Sequence, residues 1–162
     1  AFPGGQMFVL TGLLEKLNSP AELAGILGHE IGHVVHRHGL IGLARTVWFQ
    51  LTFSLVLGDI AGPGGGLSSL ASHIALLKFS RDQENESDLY GINLMLAADI
   101  PPLGFPDFLQ QTDDLGLISW FSTHPNPAER ADFLRSLVET LEQPTSYWSP
   151  PALEALQAPC SN

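Results

Sequence analysis

The stretch from Ser19 to Gly39 constrains this chain most, because a helix start, a buried face and a stop are all written into it. Ser19 suits the cap, Pro20 the first helical position, and Glu22 completes a Ser-x-x-Glu box. Leu23, Ile26, Leu27 and Ile31 recur at helical spacing and predict a stripe turned to a core. Gly39 predicts the stop. A helix of this kind needs partners. The rest of the chain offers mostly more helix: Leu40 to Leu57, a long helix capped at Ser68 or Ser69 and running toward Ala98, Phe105 to Leu115, and Asn126 to about Leu141. Met7 to Leu10 is β-prone and reads as a short strand. The expected class is therefore α+β, mostly α, with a small β element at the N-terminal end.

The chain has 162 residues, which suits a single domain over 1–162. Hydrophobic residues make up 44% and charged residues 15%, a balance that excludes a disordered chain. Seven Lys and Arg against 17 Asp and Glu give a net charge of −10. No nucleic-acid partner is expected at that charge, since phosphate neutralisation needs clustered cations. One cysteine, Cys160, rules out an intrachain disulfide and a Cys-rich zinc module, and it reads as a free thiol. The apolar run from Thr46 to Gly58 is too short to span a bilayer and reads as a buried core helix. The opening Ala1-Phe2-Pro3-Gly4-Gly5 lacks an initiator Met and a signal-like segment, so the chain reads as the core of a longer product. That leaves membrane association of the longer protein open.

His29-Glu30-Ile31-Gly32-His33 carries the chemistry. Residues i and i+4 leave a helix on one face, so His29 and His33 can offer two nitrogens to one tetrahedral Zn²⁺. Glu30 projects beside them, placed to act as a general base on a water without binding the metal. A third ligand is required. A histidine ten residues after His29 would supply it, but that position is Gly39. The acidic run from Asp82 to Asp88 supplies the alternative. Glu84 shares a face with Asp88, Gly91, Ile92 and Met95, whereas Glu86 falls on a more polar face. Glu84 is thus the expected ligand, and Asp88 the carboxylate that accepts an N–H from a liganding imidazole. His36 reads as a neighbour and His38 as a partner of the helix dipole at the C-terminal end. His73 lies about 16 Å along its helix from Glu84 and cannot share the metal. His124, in the rigid segment before Pro125, reads either as an oxyanion donor or as a structural loop residue.

The ordered set Pro3-Gly4-Gly5-Gln6-Met7-Phe8-Val9, Thr11-Gly12-Leu13, Glu22-Leu23-Ala24, His29-Glu30-Ile31-Gly32-His33, Ser80-Arg81-Asp82-Gln83-Glu84 with Asp88, and Thr123-His124-Pro125 with Glu129-Arg130 resembles a known family. It is the zinc endopeptidase family of the HtpX heat-shock peptidase, BepA-type periplasmic peptidases, Oma-type mitochondrial peptidases and CAAX prenyl proteases. The resemblance implies a gluzincin-type fold with one Zn²⁺ on His29, His33 and Glu84. It implies Glu30 as the base, Asp88 in support, and His124 and Arg130 at the active site. In related periplasmic members the His of the His-Pro pair can also approach the zinc and restrain activity. The resemblance further suggests an extracytoplasmic (periplasmic) or membrane-associated protein.

The expected function is that of a zinc metalloendopeptidase (EC 3.4.24 type) cutting unfolded or misassembled polypeptides. Phe8, Val9 and Leu10 would pair with an extended substrate by strand addition. Two rivals stand beside it: a zinc hydrolase of small amides, and a metal-binding or chaperone-like module that holds chains without cutting. The second leaves Glu30 without a purpose.

Overall fold

A computed structural model describes residues 4–57, 78–111, 122–142, 144 and 150–158. His73, Cys160 and the expected caps Ser68 and Ser69 lie outside them. Helix α1 (Thr11–Leu14) is a single turn. Helix α2 (Pro20–Val35) starts as its sequence dictates, with the Glu22 N–H donating to the Ser19 hydroxyl at 3.2 Å. The expected return bond is displaced by one residue. The Glu22 carboxylate accepts from the Asn18 N–H at 2.8 Å, and the Gln111 amide donates to its other oxygen. Burial pushes the Glu22 carboxyl above the usual carboxylate range, against these bonds.

The stop comes earlier than Gly39. Arg37 takes a left-handed conformation (φ 57°), ending α2 and turning the chain into α3 (His38–Leu57). His38 therefore opens a helix instead of closing one, and the dipole role expected for it at a C-terminal end does not hold. Nor is the described part of the apolar run in α3 buried as its composition suggests: Trp48, Phe49 and Leu51 are each more than half exposed. No helix among the described residues is long and apolar enough to cross a membrane.

Helix α4 (Arg81–Ala97) begins later than expected, at a complete capping box. Gln83 N–H donates to the Ser80 hydroxyl and Ser80 N–H to the Gln83 side chain. Residues 78–80 are not helical, and the Phe79 N–H instead donates to the Thr123 carbonyl at 3.2 Å. Helix α5 is Gly104–Gln111, with Leu115 beyond the described residues. Helix α6 (Pro127–Val138) follows Asn126, whose left-handed backbone (φ 57°) takes its side chain away from the cap, onto the Glu129 carboxylate. The Pro-rich end contains α7 (Pro150–Gln157), and the Gln157 amide donates to the carbonyls of Leu14 and Leu17.

The described residues contain no strand. The Met7–Leu10 segment is irregular, and Phe8 and Leu10 are both 71% exposed. The fold is mostly helical as expected, while the small β element is not seen.

The core joins α2, α4, α5 and α6 through Ile26, Ile92, Met95, Phe105, Phe108, Leu109, Ala131, Leu134 and Val138. The contact that sets the site is α2 against α4, where glycines let two backbones touch. A Cβ on Gly32 would lie 2.8 Å from Ser87 Cα, and one on Gly91 would lie 2.9 Å from the His29 nitrogen. Any side chain there would drive apart the two helices that carry His29, His33 and Glu84.

Candidate metal centre

One turn of α2 presents His29 and His33, and the first turns of α4 present Glu84 and Asp88 toward them. The Phe79–Thr123 bond holds the segment that brings in His124. All of these side chains are buried: His29 0%, His33 3%, Glu84 1%, Asp88 0% and His124 4% exposed. His29 Nε2 lies 3.0 Å from His33 Nε2, 3.1 Å from His124 Nδ1 and 3.6 Å from Glu84 Oε2. Glu84 Oε1 lies 3.1 Å from His124 Nδ1 and 3.3 Å from His33 Nε2.

Those spacings fit a metal. Zinc bonds of about 2.0–2.1 Å in a tetrahedron put their donor atoms about 3.3–3.4 Å apart. The proton count points the same way. His29 Nδ1 sits 2.7 Å from Asp88 Oδ1, so that nitrogen carries the proton and Nε2 offers a lone pair to the cluster. A buried set of lone pairs and a carboxylate facing one another suits a cation between them. His29, His33, Glu84 and His124 are the described residues that could hold it.

The electrostatics follow from burial and pairing. Burial pushes the His29 imidazole below its ordinary value, against the pull of Asp88, and takes His33 down to about 4, against that of Glu84. Burial thus favours the neutral form of both rings. Burial alone would raise Glu84, but His124, His33 and Arg130 hold its carboxyl well below the usual range. His29 and Arg130 do the same for Asp88, again against burial. Burial would lower His124, and its contacts with Glu30 and Glu84 override it and raise it.

Every expected site residue can now be placed. Glu30 stands at the edge of the cluster, its Oε1 3.4 Å from His124 Nε2. His124 therefore spans the space between Glu30 and the donor set, with Nδ1 toward His29 Nε2 and Glu84. Arg130, 5% exposed, reaches in from α6. Its Nε and one amino group grip Asp88 at 2.8 and 2.6 Å, and its other amino group lies 2.5 Å from Glu84 Oε2. His36 pairs with Glu86 at 3.1 Å and stands outside the four-donor group. Phe8, Val9 and Leu10 are exposed ahead of α1.

Three contributors escaped the sequence reading. The Phe79 ring stacks on His33 with centroids 3.9 Å apart. His38 and Glu86 were assigned above to a helix dipole and a polar face; His38 attaches to the far side of His33, and Glu86 attaches to His38. Their signal was the break at Arg37, which no residue type announces.

Comparison with known proteins agrees with this site. The family model described as Peptidase family M48 matches residues 1–138. The mitochondrial metalloendopeptidase OMA1 of Arabidopsis thaliana is 35% identical over 135 residues, covering 82% of this chain and 27% of that protein. The beta-barrel assembly-enhancing protease of Yersinia pestis is 32% identical over 155 residues, covering 84% and 31%. Metalloprotease YcaL of Escherichia coli is 28% identical over 151 residues, covering 85% and 57%. The chain thus spans less than a third of the length of the first two relatives. Matched along most of its length and carrying the buried histidine–glutamate cluster, the chain belongs to Peptidase family M48.

Proposed function

We propose that this chain is the catalytic domain of a zinc endopeptidase acting on extended or unfolded polypeptides. The observation that carries the reading is the donor set itself: two α2 imidazoles and an α4 carboxylate at tetrahedral spacing, with a non-liganding glutamate, Glu30, at its edge. His29, His33 and Glu84 hold the metal. Zinc supplies Lewis acidity there and brings the pKa of water toward ~7. Glu30 takes the proton of the attacking water and returns it to the leaving amine. Its carboxyl lies well below the usual range through His124, which outweighs burial, so it is ionised and ready to accept.

Asp88 and Arg130 keep His29 in the tautomer that offers Nε2. His124 has two positions in this account. With Nδ1 against His29 Nε2 and Glu84 it covers the donor set and occupies Glu30. Swung outward, it would uncover the donor set and donate to the oxyanion of the reacting carbonyl. Phe8, Val9 and Leu10, exposed ahead of α1, receive an extended substrate by backbone pairing. The protein works in an extracytoplasmic or membrane-associated setting.

The test is digestion of an unfolded protein such as casein beside a series of short peptides. Cleavage should stop with chelator, return with zinc and improve with peptide length. Equal turnover of a small amide and a long peptide would favour the small-amide hydrolase. Zinc-dependent binding of casein without cleavage would favour the holding module.

A further inference from the structure

We propose that His38 is the positioning residue for His33, fixing through Glu86 the tautomer in which His33 offers Nε2 to the metal. The inference rests on the metal-site reading above and adds the support of its second histidine.

A liganding imidazole needs its other nitrogen held, or the ring turns and the proton can sit on the wrong side. For His29 that holder is Asp88. Among the described residues, no carboxylate stands at His33 Nδ1. The atom found there is His38 Nδ1, at 2.9 Å. His38 is only 3% exposed, and its Nε2 lies 3.1 Å from Glu86 Oε2.

This chain of contacts has one proton arrangement consistent with a metal. If His33 Nε2 holds the ion, His33 Nδ1 carries the proton and donates it. His38 Nδ1 must then be a lone pair, so the His38 proton is on Nε2. That N–H points at the Glu86 carboxylate, which accepts it. Ser87 Oγ, 3.3 Å from His38 Nδ1, is a further donor to the same lone pair. Glu86 is held in turn, since its other oxygen pairs with His36 Nδ1 at 3.1 Å. The left-handed turn at Arg37 is what folds His38 back onto the last turn of α2. The two ligand histidines are thus supported unequally, one by a buried carboxylate and the other by a neutral imidazole leading to a half-exposed one.

The test is competitive titration of zinc against a chromophoric chelator, with the visible spectrum of the cobalt-loaded protein as a second readout. His38→Phe fills the space without an acceptor and should weaken metal binding about 10–100-fold and shift the cobalt bands. His38→Gln, whose side-chain oxygen can accept from His33, should recover most of the affinity. Glu86→Ala alters a half-exposed residue and tests the chain even where His38→Phe fails to fold; about tenfold weaker binding is expected. Wild-type affinity and unchanged cobalt bands in His38→Phe or Glu86→Ala would overturn the assignment, as would a His38→Gln protein no better than His38→Phe. A wild-type protein that binds neither zinc nor cobalt would instead overturn the metal-site reading.

Discussion

Replacing Gly32 by alanine should damage the metal site without touching a donor atom. The new Cβ would sit 2.8 Å from Ser87 Cα and 2.9 Å from Ser87 O. Ordinary contacts between carbon atoms are about 3.5–4.0 Å, so the shortfall is about 1 Å. The obstructing atoms are backbone, and no rotamer change relieves them. Forced overpacking costs about 1–3 kcal/mol, and alanine returns about 1 kcal/mol through helix propensity, leaving a net loss of about 0–2 kcal/mol. The relief available to the protein is to part α2 from α4. That takes the 3.3 Å between His33 Nε2 and Glu84 Oε1 toward 4 Å, beyond tetrahedral reach. Strain of about 1–2 kcal/mol on the metal-bound state corresponds to about 5–30-fold weaker binding. Zinc competition titration and thermal unfolding read the two effects. Gly12→Ala is the control, because a Cβ there meets nothing within 4 Å. A Gly32→Ala protein with wild-type zinc affinity and a melting point at or above that of the control would refute the reasoning.

Three further outcomes are expected. Asp88→Asn, which breaks the buried bond to His29 and the paired grip of Arg130, should cost about 3–5 kcal/mol in urea unfolding and weaken zinc about 10–100-fold. Ser80→Ala should remove the capping box of α4 for about 1 kcal/mol, lowering the melting point by about 2–4 °C. Glu22, raised by burial, holds its proton more tightly in the folded chain than in the unfolded one. Its contribution to stability therefore falls as pH rises through the raised value and is recovered as pH falls toward the ordinary one. Glu22→Gln, which keeps an acceptor for the Asn18 N–H, should flatten that part of the stability–pH curve relative to the parent.

The clustering of the site's side chains was legible because helical periodicity is a local rule. The four-residue step from His29 to His33, and that from Glu84 to Asp88, places each pair on one face whatever the rest of the chain does. Starts marked by proline and a cap were legible for the same reason, as at Ser19-Pro20. The misplacements came from tertiary partners. Phe79 leaves the helical register because its N–H pairs with Thr123, 44 positions along the chain, so α4 starts at Arg81 and not near Ser68. Arg37 adopts a left-handed conformation that its residue type does not advertise, and His38 follows it into the site. The Met7–Leu10 run has strand composition, but strand propensity depends on context, and the segment is irregular in the fold.

The central claim is that His29, His33 and Glu84 hold a zinc ion that serves peptide hydrolysis with Glu30 as base. Its most direct test is a single comparison of wild type and Glu30→Gln by metal analysis and digestion of an unfolded substrate. The account predicts one zinc per chain in both proteins, with cleavage by the wild type and turnover lost in the variant. A Glu30→Gln protein that retains its zinc and still cleaves at the wild-type rate would contradict it.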